Sequence, residues 1–301
     1  MSKCLNIIAS VALVALTLSA CEQSKPDPSV ETAKTGSITI LVDSEIVDLV
    51  TPAVDLFRQQ HPYATVRLQA VTAREGMSAL FAQEAKGVII ARDYLADEAS
   101  ILKERQQDFP RTHIATDALV LFTSLEYPSD TISADDVQAH LMGQRSRLGK
   151  TTFVTTGASG SVVGNVVNVI CKGSTPSSNL SELPDVTTVR QRVAASTSLI
   201  GIGYLSQLRS AKDVKLLRVG FTDSTGARVY PKPVHQAYVV QGKYPFPVPI
   251  YTYLRDKPSM YNLASGLFGY VYQEKQAQQT FLNAGIVPEF AKIVLVPEGQ
   301  D

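Results

Sequence analysis

Cysteine is scarce in this 301-residue chain: there are three, and two of them, Cys4 and Cys21, lie in or at the end of the first apolar segment. Cys171 is left alone in the remainder, so no internal disulfide can form there. With no CxxC pair and no clustered His/Cys set, no structural metal site is expected. Cys171 follows Val166, Val167, Val169 and Ile170 and reads as a small buried apolar residue. Charge of one sign is also lacking, since 28 Lys+Arg balance 28 Asp+Glu. Removing residues 1–20 takes away only Lys3, leaving 27 bases against 28 acids, or −1. No global basic field exists to attract nucleic acid or an anionic membrane. Catalytic signatures are missing as well: there is no HExxH, Walker A or EF-hand pattern. Gly157-Ala158-Ser159-Gly160-Ser161 ends in serine where a nucleophile elbow needs glycine. His61, His113, His140 and His235 show no motif spacing and read as helix-end or strand-end residues. No enzyme activity and no cofactor are expected, and no internal repeat of constant period is present.

What the chain does have is a 45% hydrophobic and 19% charged composition, enough for a substantial core in one two-lobed unit or two small domains. It opens on Met1-Ser2-Lys3 and then runs from Leu5 to Leu18 without a charge, the layout of a secretory signal and short for a membrane span. Leu18-Ser19-Ala20-Cys21 resembles the lipobox of bacterial lipoproteins, which implies lipidation at Cys21 and a signal peptide over 1–20. The alternative is an ordinary signal peptide with a chance cysteine. Residues 21–36 are polar and carry two prolines, Pro26 and Pro28, so they read as a flexible tether that cannot repay the entropy of folding. Lipidation would place the protein in the cell envelope, periplasmic or on the outer surface.

Beyond the tether, strands and helices alternate. Ser37–Val42 reads as a buried strand, and Ile46, Leu49, Val50, Ala53, Val54 and Phe57 follow at helical spacing. Pro52 within that pattern implies either a helix beginning at Thr51 with proline first, or a kink. Residues 65–70 and 87–91 read as strands, with helices over about 74–84 and 97–107. Ile114–Thr123 is a long apolar strand, and Ser133-Ala134-Asp135-Asp136 looks like a capped helix start. Thr151–Thr155 then reads as a strand, Ser161–Cys171 and Val186–Ala195 as helices, and Leu199–Tyr204 and Val214–Val219 as strands. Gly173–Asn179 is a loop by composition. HQAYVVQ from His235 and PIYTYL read as further strands, and Met260 to Val271 as a helix. The alternation argues a mostly parallel sheet covered by helices.

Several blocks in order resemble the phosphate-binding proteins of ABC importers: SITILVDSEIVDLV, GVIIARDYL, TDALVLFTS, GASGS before a helix, LIGIGYLS, YPFPVPIYTYL, and the closing FGYVYQEKQAQQTFLNAGIVPEF. The likeness spans about residues 37–297 and is strongest to a divergent branch of that family. It implies an α/β, two-lobed periplasmic binding protein-like fold of type II with mixed sheets flanked by helices. Lobe I would comprise 37–122 plus 236–301 and lobe II 123–235, with ligand in the cleft and closure by hinge motion. The resemblance further implies a monomer, an ABC permease as partner, and phosphate or a similar oxyanion as ligand.

Candidate ligand-binding residues follow from both readings. Ser159, Gly160 and Ser161 lie between a strand and a helix, where successive N–H groups and hydroxyls can converge on an anion. They match the family's serine-glycine-threonine turn. The alternative is a loop chosen for turn chemistry alone. Ser44 and Glu45 fall where the family's first strand turns into its first helix. Ser44 would offer a hydroxyl, whereas Glu45 could serve only through its N–H, with its carboxylate turned away. The family's basic residue before the turn is Thr155 here, and an acidic one is Gly157. The usual serine at the second helix corresponds to Ala73, with Arg74 beside it, and Arg92 follows the third strand where the classical phosphate binders carry aspartate and many relatives carry arginine. Arg92 or Arg74 could replace the missing cation with a bidentate fork, or could be ordinary ion-pair residues. The rival to solute import is a binding-protein fold repurposed as an envelope sensor, adhesin or assembly partner; Tyr244, Phe246 and Tyr251 could then mark a partner surface, or could be lobe packing at the strand entry.

Overall fold

The computed structural model describes residues 30–177 and 179–290. The signal segment, Cys21 and the expected lipid attachment lie outside the described residues. Among these, no helix is long and apolar enough to cross a membrane.

The fold begins with β1 (Gly36–Asp43), paired in parallel with β2 (Ala64–Val71) on one side and β3 (Gly87–Ile90) on the other. Ile38, Ile40 and Val42 alternate inward along β1, and all four residues of β3 are buried, as expected of strands covered on both faces. Helix α1 (Val47–Gln60) buries Val50, Ala53, Val54 and Phe57, the i, i+3, i+4, i+7 stripe legible in the sequence. It runs through Pro52 rather than starting at Thr51, whose hydroxyl instead donates to Val47 O (2.7 Å). Helix α2 (Ala73–Phe81) starts on a capping box: Glu75 N–H donates to Thr72 Oγ1, and Thr72 N–H to the Glu75 carboxylate. Helix α3 (Ala96–Arg105) follows β3.

β4 (Arg111–Ser124) is the long shared strand. Its first half pairs antiparallel with β12 (Pro247–Leu254) and β13 (Val287–Pro288), and from Leu119 onward it pairs with β8 (Leu199–Tyr204) and β9 (Val214–Leu216). β6 (Thr152–Thr156) lies parallel between β8 and β7 (Leu180–Leu183). The main sheet therefore reads β2-β1-β3-β12-β4-β8-β6-β7, mixed rather than mostly parallel because β4 and β12 run against their neighbours. A small sheet of β11 (Arg228–Lys232), β10 (Arg218–Thr222) and β5 (Thr131–Ser133) flanks the second lobe, and helix α4 (Ala134–Leu141) packs on it. Helix α5 (Ser161–Asn165) continues as a π-helical turn, Val166–Ile170, and α6 (Val186–Ala194) and α7 (Leu205–Leu208) complete that side. Late helices α9 (Leu263–Gln273) and α10 (Lys275–Asn283) return to pack against α1 in the first lobe.

Three sequence expectations need correction. HQAYVVQ is not a strand but contains helix α8 (Gln236–Val240), opened by His235, whose ring accepts the Ala237 N–H (3.2 Å). Only Ala237 of this helix is fully buried, so the segment has no second sheet face to fill. The expected strand 214–219 is split between β9 and β10 at Leu217. Residues 30–36, read as tether, are tied to the first lobe: Ala33 N–H donates to Met260 O (2.7 Å) and Lys86 pairs with Glu31 at 2.6 Å. Polar partners hold this segment where composition alone offered no apolar anchor. Tyr244 and Phe246 are buried and packed edge to face, with the Tyr244 hydroxyl donating to Leu119 O, which is lobe packing, one of the two readings of these aromatics.

Candidate functional site

β1 ends on Asp43, where the chain reverses at once: Ser44 N–H donates to Val71 O (2.8 Å) and Ile46 N–H to Asp43 O (2.9 Å). Asp43 is fully buried, and its carboxyl accepts the N–H groups of Glu45 (3.1 Å) and Ala91 (3.3 Å). Burial, and after it the charge of Glu45, push its pKa up to about 7. The same turn sends the Glu45 side chain across the cleft.

On the far side, β6 ends at Thr156 and the Gly157–Gly160 turn leads into α5. The Glu45 carboxylate enters this turn. Oε1 accepts the Thr156 hydroxyl, while Oε2 accepts both the Ser161 hydroxyl (2.9 Å) and the Val162 N–H (2.8 Å). Gly160 makes the approach possible, since a Cβ there would stand 2.8 Å from Oε2. Behind Ser161 runs a chain of donors in one direction: Asn165 Nδ2 donates to the Tyr204 hydroxyl (2.9 Å), which donates to Ser161 Oγ (2.7 Å). Burial first, and then the nearby charges of Glu45 and Asp43, hold the Tyr204 phenol well above its ordinary pKa, so it stays a neutral donor. Each link polarises the next toward the carboxylate.

The expected site residues thus divide. Ser44, Glu45, Ser159 and Gly160 line one cleft of about 450 Å³, together with Thr72, Thr156, Asp185 and Gln207. Ser161 is buried at its base and linked to it through Glu45. Ser159 lends its carbonyl, which accepts the Arg74 N–H (3.1 Å) across the cleft. The Glu45 carboxylate, expected to turn away, turns in, because three second-lobe donors outweigh the desolvation it suffers there.

Neither arginine supplies a cation to this cleft. Arg92 is 1% exposed and bound bidentately to Glu98 at 2.6 and 2.7 Å. Arg74 points to Asp97 and Glu98. Among the described residues, the ionisable groups lining the cleft are two acids, Glu45 and Asp185, and no base. A larger depression of about 590 Å³ lies along β5, β10 and β11, away from these residues. Sequence reasoning missed Asp43, Thr156, Asn165, Tyr204 and Gln207. A charged residue closing the otherwise uncharged strand SITILVD was the available signal for Asp43. Among the described residues no group of three or more His, Cys, Asp or Glu is placed to hold a metal.

Two lobes sharing β4, with strand ends and a helix start facing a cleft, define a binding-protein fold. Residues 27–275 match the profile of the PBP superfamily domain, and the chain belongs to that superfamily. No curated protein matches. Similar solved structures include a candidate phosphate ABC transporter substrate-binding protein from Clostridium perfringens with bound phosphate, at TM-score 0.67 and 11% identity, covering 84% of this chain and 99% of that one. An ABC-type phosphate transport receptor from Vibrio cholerae gives 0.64 and 16%, covering 83% and 99%. The regulatory domain of Synechocystis PCC6803 CcmR, in complex with 2-PG, gives 0.55 and 12%, covering 80% and 99%.

Proposed function

We propose that this protein is a solute-binding lipoprotein of the cell envelope, tethered through Cys21, that captures phosphate or another small oxyanion and delivers it to an ABC-type importer. The observation that carries the reading is the convergence of the Thr156 and Ser161 hydroxyls and the Val162 N–H on the two oxygens of one carboxylate. This donor set suits an anion, and the similarity to phosphate receptors agrees with it. Ser44, Ser159 and Gly160 would form the rest of the ligand's surroundings. Calorimetric titration of the chain from Glu22 onward, which carries every described element, against phosphate, sulfate, molybdate and a phosphonate tests it. Binding lost in Ser161→Ala supports capture; silence from folded protein removes it.

A second reading is a repurposed binding-protein fold that acts as an envelope sensor or partner module without transport. The acids lining the cleft, and the engagement of both arginines elsewhere, favour it. The CcmR regulatory domain shows that this fold also serves in regulatory proteins.

A further inference from the structure

Glu45 makes the cleft unlike a receptor that waits open for its solute. Its carboxylate belongs to the first lobe, and the three groups that donate to it belong to the second. Those donors come from Thr156, Ser161 and Val162, which are 6%, 0% and 0% exposed. The Ser161 hydroxyl has one hydrogen, and its oxygen already accepts from Tyr204, so what it offers Glu45 is a donor. Around this bond the lobes touch directly. Gln207 Nε2 donates to Glu45 O (2.7 Å), Asn165 Nδ2 to Ala91 O (2.6 Å) and Asn168 Nδ2 to Tyr94 O (3.2 Å).

We infer that Glu45 is a tethered ligand: its carboxylate holds the acceptor position that a free oxyanion would need, draws the two lobes together, and must leave before an anion can bind. The inference rests on the oxyanion reading of this cleft and adds the occupant that controls it. Glu45 and an incoming anion exclude each other, because they require the same donors and carry the same sign. A free anion then meets a competent site only in the fraction of molecules from which Glu45 has swung out. If that fraction is about 1%, the apparent affinity is about 100-fold weaker than the site's own.

The test is to titrate inorganic phosphate and sulfate into the wild-type chain from Glu22 onward and into Glu45→Ala and Glu45→Gln, with the radius of gyration of each followed by X-ray scattering. Glu45→Gln keeps the side-chain volume and serves where alanine fails to fold. The expected result is phosphate or sulfate binding at least about tenfold tighter in a folded variant than in wild type, consistent with removal of such a competitor. The variant should also be more open than wild type without anion and contract when anion is added. Wild type binding as tightly as both variants overturns the tethered ligand while leaving oxyanion capture intact. Folded variants that show neither a gain in binding nor a change in radius overturn it too. Silent wild type with binding variants supports the tethered ligand and removes capture by the unmodified protein.

Discussion

Replacing Asp43 with asparagine should remove a specific part of the protein's pH dependence. Asp43 is wholly buried, and its pKa is raised from 3.8 to about 7 by burial and by the Glu45 charge. The folded state therefore holds a proton that the unfolded chain releases near pH 4. The resulting stabilisation is fully present below pH 4 and is lost as pH rises through 7. At about 1.4 kcal/mol per pKa unit the full effect is on the order of 4 kcal/mol, more than half of which falls between pH 5 and pH 8. Urea unfolding of wild type and Asp43→Asn at those two pH values reads it out, together with any change that loss of the Asp43 charge makes at Glu45. The wild-type advantage at pH 5 should shrink by on the order of 2–3 kcal/mol at pH 8. Parallel behaviour of the two proteins across the window would refute the argument and mean that Asp43 is ionised in the fold.

Glu98→Gln should cost about 3–5 kcal/mol, read by urea unfolding, because it strands the buried Arg92 guanidinium and weakens the cap that Glu98 provides to the Leu95 N–H. Gly269→Ala should instead stabilise by about 0.5–1 kcal/mol, since this position lies inside α9 with nothing within 4 Å of a new Cβ. Gly201→Ala makes the contrasting measurement, because its Cβ would stand 2.2 Å from the Phe122 ring, and a marked loss of thermal stability is expected.

β1 to β4, β6, β8 and β12 were legible because their apolar runs are bounded, and α1 because Val50, Ala53, Val54 and Phe57 keep one helical face, whereas the short strands β5, β7, β11 and β13 carry too few apolar residues to announce themselves. The α8 segment was not legible, since a seven-residue run with two adjacent valines satisfies either period until burial is known. The Gly157–Ser161 turn could be recognised from its position between a strand and a helix. Its partner could not: whether a carboxylate at position 45 turns out or in is decided by Thr156, Ser161 and Val162, more than a hundred residues along the chain. Likewise the spacing of Arg92 and Glu98 carries no periodic signal, because one residue follows a strand and the other lies in the first turn of the next helix. Tyr204 read as the end of an apolar strand, and its role as a hydrogen-bond donor appears only when β8 brings it beside Ser161.

The shared strand β4 also sets an order of assembly. Its later half finds β8 and β9 within the next hundred residues, so the second lobe's share of the sheet can close as soon as Leu216 is available. Its earlier half must wait for β12, where Ala118 meets Pro247 and Arg111 meets Tyr253. Loop closure over that distance is slow, and until it occurs both β3 and the first half of β4 present an unpaired edge to other chains. Truncation between Lys232 and Pro247 should therefore yield a nascent chain with one finished lobe and one adhesive edge, which makes the final fifth of the sequence the protein's protection against aggregation during biosynthesis.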